Sequence, residues 1–158
     1  MSEVITAEQV KEKVTIENAF DEAFFRLCIT PAQEMYILPL LTQDLYDDYL
    51  LQFSALPANY VALKAYIDPA LAYAVAFMGY EKDLERNISN QGVMENNTQY
   101  SKSAASVSGQ RALAKIKDLE FFYMKRLGDF LIENADDYPL FDVTKISYEP
   151  NLRRFFPI

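Results

Sequence analysis

Between Ala112 and Phe130 the residues Ala112, Ile116, Leu119, Tyr123, Leu127 and Phe130 recur at steps of four and three. That is the period of one face of an α-helix. Phe121, Phe122, Met124 and Leu131 widen the face, so this helix has to meet more than one neighbour and is expected to be the central one. Its predicted span starts at Ser103 or Ser108 and ends at Asn134. The 158 residues include only 4 glycines, low against an average usage of roughly 7%. Abundant Leu, Ala, Glu and Lys favour helix over a turn-rich β fold. The expected fold class is therefore all-α: one small bundle of about five helices.

The remaining helices are read from caps and prolines. "ITAEQVKEKV" carries a capping box, with Thr6 as N-cap and Gln9 reaching back, over a short polar helix from Ala7 to Lys13. Asn18 is the expected N-cap of a helix whose Phe20, Phe24, Leu27 and Cys28 share a face. At Thr30-Pro31 the pattern allows a boundary or a kink. Thr30 with Gln33 repeats the capping-box spacing, so a kinked or restarted helix is expected through "PAQEMYILPLL". Pro39 ends or bends it, and Thr42 opens "TQDLYDDYLLQF". "SALPANYVALKAYI" gives another helix with Pro57 near its first turn. Asp68-Pro69 reads as a fresh N-cap and first-turn pair for "PALAYAVAFMGYEKDLERNI", with Ala70, Ala74, Phe77, Leu84 and Ile88 as its stripe. After the long helix the period is lost, and "VTKISY" reads as a short strand or extended segment. A helical domain over 1–141 and an extended C-terminal arm over 142–158 are expected.

The chain has no histidine, which removes Ser-His-Asp and Cys-His arrangements and the common zinc and di-iron bundle sites. Gly79, Gly92, Gly109 and Gly128 are isolated, so no phosphate-cradling glycine loop is present. Asp47 and Asp48 are adjacent and point about 100° apart on a helix. Glu133, Asp136 and Asp137 are spaced to hold a hard cation weakly, although a solvated acidic surface is the favoured reading. No catalytic residue, metal or cofactor is assigned. The lone Cys28 in "FFRLCI" reads as a buried core thiol, and the 11 Tyr and 11 Phe read mainly as core. A net charge of -8 argues against gripping nucleic-acid phosphates. No apolar run is expected to approach the roughly 18 residues of a membrane span, and "MSEVITAEQV" is no signal peptide. A soluble protein made in a reducing cytoplasm is expected.

Two segments stand outside the helical pattern. "RNISNQGVMENNTQYSKSAASVSG" is polar, small and amide-rich between two apolar helices. A polar interhelical loop over about 88–108 is expected. Its Asn90, Gln91, Gly92, Asn96, Asn97, Tyr100 and Lys102 are candidates for docking a partner or a neighbouring subunit, against the plainer reading of a functionless surface loop. "NLRRFFPI" places Arg153 and Arg154 before Phe155, Phe156, Pro157 and Ile158 with no helix to carry them. Its rings need a groove, on the same molecule or on a partner.

"AQEMYILPLLTQDLYDDYL", Ala32 to Leu50, resembles the opening signature of head–tail connector (adaptor) proteins of tailed phages and prophages, especially those of Bacteroidetes. In those sequences an alanine-headed helix enters an Ile-x-Pro-x-Leu segment and then a Leu-Tyr-x-x-Leu helix. "ITAEQVKEKVTIEN", "NQGV" before a polar loop and "LIENADDYPLF" look similar too, so the resemblance covers most of Ile5 to Phe141. Members usually carry glycine where Thr42 stands, and a threonine there argues against a tight helix-to-helix turn. The resemblance implies a non-enzymatic virion protein at the head–tail junction, made in the host bacterial cytoplasm. It implies a ring of about twelve subunits beneath the portal, which extends the DNA channel. Portal protein, neighbouring connector subunits and a tail or next-ring protein are the implied partners. DNA passes through without sequence-specific binding, and no membrane is involved. A ring of subunits each at -8 would repel the DNA backbone and let it slide. The competing readings are a small acidic cytosolic helical protein-interaction module and, less favoured, a carboxylate enzyme with a divalent metal.

Overall fold

The computed structural model describes residues 3–14, 22–90 and 107–146. Among them there is no strand, and the fold is an all-α bundle. Its elements are α1 (Ala7–Lys13), α2 (Glu22–Ala32), a π-helical turn (Gln33–Ile37), α3 (Leu38–Leu41), α4 (Gln43–Gln52), α5 (Ala58–Asn90) and α6 (Val107–Glu133). Short 3-10 turns follow at Phe53–Ala55, Ala135–Asp137 and Val143–Lys145. Because α2, the π turn and α3 run on without a break, the bundle counts five helical rods.

The capping box forms as the sequence predicts. Gln9 N donates to Thr6 Oγ1 at 3.2 Å and Thr6 N donates to Gln9 Oε1 at 2.9 Å, an arrangement that stabilises a helix by about 1 kcal/mol. Of the two interior prolines, Pro31 takes the continuing-helix alternative and Pro69 departs from expectation. Pro31 lies inside α2 and Pro69 inside α5; neither starts a helix. A mid-helix proline removes the hydrogen bond to the carbonyl four residues back. Here those carbonyls belong to Leu27, 65% exposed, and Ala65, also exposed, so both residues lie on the water-facing side. Asp68 does not cap a helix; it pairs with Lys64 on the same helix and with Lys13 of α1. Leu27, expected in the core stripe, is solvent-facing, while Phe25, Cys28 and Ile29 are buried. Phe20 and Asn18 lie outside the described residues, as do the side chains of Leu84 and Ile88.

The Thr30–Gln33 box does not form. Gln33 is buried, its Oε1 accepting from Val4 N at 2.9 Å and its Nε2 donating to the Tyr46 hydroxyl at 3.1 Å. One amide thus ties the N-terminal strap to α4 across the π turn, which supplies the extra residue that turns Gln33 inward.

The central helix is α5, which packs against α6, α2, α1 and the π turn. Every residue from Ala70 to Ala76 is buried, and the alternating alanines let neighbours approach closely on all sides. Gly79 continues this: a Cβ there would meet Phe25 Cδ1 at 3.1 Å. The expectation that α6 is central is corrected by Phe122, 54% exposed, and by the exposed Ile132. The same buried stretch makes Ala58–Lys82 long and apolar enough, at mean hydropathy 1.4, to match a membrane span by length and composition. The expectation that no apolar run approaches a span is corrected on this measure. Half of that window is buried inside the protein, as a core helix requires.

Helices α5 and α6 form an antiparallel hairpin with a readable register. Tyr66 stacks on Phe130 at 4.1 Å and Tyr73 on Tyr123 at 5.1 Å. Seven residues forward on α5 match seven back on α6, so the same faces meet every two turns. Lys117 Nζ lies 6.0 Å from the Phe77 ring, one turn further along.

At the junction of α3 and α4, Thr42 adopts φ 68° and ψ 156°, a region that suits glycine and costs other residues on the order of 1–3 kcal/mol. The tight turn is therefore present despite the threonine. Its Oγ1 does not cap α4; it donates to Leu140 O at 3.5 Å. Thr42→Gly should raise the stability of the protein by about 1 kcal/mol, the relieved strain exceeding glycine's backbone entropy. Urea unfolding of the two proteins checks it, and an unchanged or lower midpoint would contradict the strained turn.

Candidate functional site and docking surfaces

Among the sequence-predicted docking residues, Asn90 is the last residue of α5. Gln91, Gly92, Asn96, Asn97, Tyr100 and Lys102, like Arg153, Arg154, Phe155, Phe156, Pro157 and Ile158, lie outside the described residues. What the fold does fix is where these two segments leave the bundle.

The α5–α6 register brings the last turn of α5 level with the first turn of α6. A connection of 2–8 residues suffices between adjacent antiparallel helices, whereas residues 91–106 separate Asn90 from Val107. The length of the polar segment is thus not required to join the helices. With 27 residues in α6, the hairpin is about 40 Å long, and the C-terminal segment starts from its other end.

That segment is folded back onto the bundle. Asn134 closes α6, its N and Nδ2 both donating to Phe130 O. The chain then turns through Ala135–Asp137, and Tyr138 enters the core. Its hydroxyl donates to Asn59 O at 2.6 Å, and Asn59 Nδ2 donates to Asp137 O at 3.2 Å. The Tyr138 ring stacks on Tyr60 at 6.1 Å and meets Phe130 edge-on at 5.9 Å. The Tyr60 hydroxyl donates to Asp48 Oδ2, which also accepts from Gln52 Nε2 at 2.7 Å. Beyond Leu140, Val143–Lys145 forms a 3-10 turn whose cap is Asp142, accepting from Thr144 N and Oγ1. Those two bonds hold the Asp142 carboxyl below the ordinary carboxylate range. Lys145 Nζ reaches Asp44 of α4 at 3.4 Å. "VTKISY" is therefore no strand over its described part, and Lys145 at the start of the expected arm reaches α4.

The predicted acidic groups do not converge. Asp47 accepts from Gln43 Nε2 while Asp48 turns to Tyr60, in keeping with their 100° separation. Glu133 ends α6 and Asp136 and Asp137 sit in the following turn. Among the described residues no three His, Cys, Asp or Glu side chains are grouped to hold a metal ion. Cys28 is fully buried, which pushes its thiol pKa up. A shallow groove of about 200 Å³ lies on the α5–α6 surface, lined by Ala65, Tyr66, Pro69, Tyr123 and Arg126, with the Arg126 guanidinium 5.3 Å from the Tyr66 ring. It is smaller than the roughly 300 Å³ of ordinary small-molecule sites.

The anchor residues Asn59, Tyr60 and Tyr138 escaped sequence reasoning. Tyr138 lies 79 positions from Asn59, and the one local signal is the aromatic in "ENADDYPLF" where the helical period stops.

Fold and surface together define a helical-bundle protein built on an antiparallel hairpin. The chain belongs to DUF6712, a family of unknown function, whose match spans residues 37–149. That span runs from the end of the π turn through the C-terminal anchor. No curated protein and no solved structure matches the chain.

Removing residues 147–158 should leave the melting temperature within a few degrees of the full chain, because Tyr138 and the Asp142 cap remain. Ending the chain at Glu133 should cost several kcal/mol through the lost Tyr138 burial and the exposed Tyr60. Equal melting temperatures for the two truncations would refute the anchor.

Burial raises the pKa of Tyr36, Tyr46, Tyr49, Tyr60, Tyr73 and Tyr138, Tyr36 to about 12 with Glu120 and Glu81 adding to the effect. Between pH 10 and these folded values the unfolded chain releases protons that the native state keeps. Stability is therefore full below pH 10 and falls as pH rises through the window. In an alkaline titration followed by tyrosinate absorbance, only part of the 11 tyrosines should ionise near pH 10. The rest should ionise with loss of helical circular dichroism; a single smooth transition with helix intact would contradict the burial.

Proposed function

We propose that the protein is a structural component of the head–tail junction of a tailed phage or prophage. In this reading its copies form a ring beneath the portal, extend the DNA channel and dock the tail or the next ring. The reading is supported by where the two segments leave the bundle, the polar one after Asn90 at the end of α5 and the arm after residue 146 beside α4. A subunit held between two stacked partners needs a contact at each end. The polar segment, longer than its connection requires, supplies one. The arm that follows residue 146 beside α4 supplies the other.

The resemblance over Ala32 to Leu50 supports the same reading. Those residues form the end of α2, the π turn, α3, the Thr42 turn and α4, and Thr42 takes the glycine-type backbone at the position where the similar connector sequences carry glycine. The role is structural, with no catalysis and no cofactor. The partners are portal protein, neighbouring subunits and a tail or next-ring protein, and the location is the virion.

Quantitative mass spectrometry of purified particles of the virus or prophage encoding this chain tests it. The expected copy number matches that of the portal. Deleting residues 151–158 should remove the protein from particles while leaving the isolated bundle folded. Absence of the full-length protein from intact particles would overturn the reading and leave a small acidic interaction module in its place.

A further inference from the structure

The outer face of α6 is basic on an acidic protein. Five of the chain's 15 Lys and Arg fall between Arg111 and Arg126, against Asp118 and Glu120, and Glu120 is buried. Arg111, Lys115, Asp118, Phe122 and Arg126 are exposed at spacings of four, three, four and four, one side of a helix on which the exposed cations outnumber the exposed acid three to one. Phe122 is 54% exposed, its ring set edge-on to Tyr123 at 5.2 Å. An exposed ring among cations matches a surface that is both acidic and apolar.

Helix α4 has such a surface. Gln43, Asp47 and Leu51 recur every four residues on its exposed side, with Asp44 beside them. Leu51, at 81%, is the most exposed large apolar side chain among the described residues. No Lys or Arg occurs between Arg26 and Lys64, so no cation of α4 or of the rods beside it in sequence neutralises this side. Lys145 of the C-terminal segment reaches it at Asp44.

We infer that the α6 face of one copy docks on the α4 face of a second copy, with Phe122 set against Leu51. The spacing fits: Phe122 to Lys115 and Leu51 to Asp44 are each seven residues, about 10 Å along a helix. With the apolar pair in contact, Lys115 meets Asp44. Nucleic acid is the other acidic partner such a face could take, and the chain's net charge of -8 disfavours it. The contact joins two different faces, so it propagates head to tail and either closes into a ring or runs on as a filament. It is drawn from the charge and exposure of α4 and α6 alone and stands independently of a place at the head–tail junction.

Disulfide trapping between two full-length variants tests it. Leu51→Cys and Phe122→Cys proteins are mixed at high concentration and oxidised; the native Cys28 is buried. The mixed dimer is expected in clear excess over both homodimers. It should be lost when Lys115→Glu is added to the Phe122→Cys chain or Asp44→Lys to the Leu51→Cys chain, and regained when both reversals are present. Circular dichroism of each variant verifies the helical fold. Statistical yields of the three dimers, no dimer, or a mixed dimer indifferent to charge reversal would each overturn the inference. So would retention of a short DNA duplex that Arg111→Glu with Lys115→Glu abolishes while the mixed dimer is unchanged, which assigns the face to nucleic acid.

Discussion

Seven consecutive residues of α5, Ala70 to Ala76, have no side turned to water. A helix apolar all round has to be enclosed, and this sets the places of the other rods. Alternating alanines keep the enclosed stretch thin, so α1, α2 and α6 can all pack on it directly. Tyr73, the one large ring in the stretch, is matched by Tyr123 of α6 and so fixes the register of the hairpin. The position of each hairpin end, and of everything rooted there, follows from that stack and its Tyr66–Phe130 counterpart one heptad away.

Polar atoms then decide how the chain ends attach. The buried Gln33 amide fastens the N-terminal strap to α4, and the Tyr138 hydroxyl fastens the C-terminal segment to the start of α5. The Gln33 bonds are buried, so their loss leaves a donor or acceptor unsatisfied at a cost on the order of 1–3 kcal/mol; the Tyr138 bond is partly buried. They are specific pins in a core otherwise held by area. The strained Thr42 turn sits between them, and its hydroxyl touches the same C-terminal segment at Leu140. The turn between α3 and α4, the N-terminal strap and the C-terminal anchor therefore act on one region of the bundle.

That organisation leaves chemistry to the surface. The ionisable groups with shifted pKa are mostly tyrosines raised by burial, which is the signature of a packed core. Among the described residues the charge distribution is uneven: α4 carries acids and no Lys or Arg of its own, while a third of all cations fall within one stretch of α6.

The sequence by itself determined the all-α class, the capping box of α1, the face and extent of α6, and the buried state of Cys28. Each of these follows from a local period or a neighbour within four residues. It did not determine which helix is central, because Phe122 and Ile132 look equally apolar in a list of residues whether or not a neighbour covers them. Only the tertiary structure decided that Pro31 and Pro69 sit inside helices, since a proline is tolerated there when the carbonyl four residues back faces water. The same holds for the Tyr138–Asn59 and Gln33–Val4 pins, and for the α5–α6 register. These contacts join residues tens of positions apart, and no local pattern encodes which of 11 tyrosines will meet which carbonyl once the chain has closed.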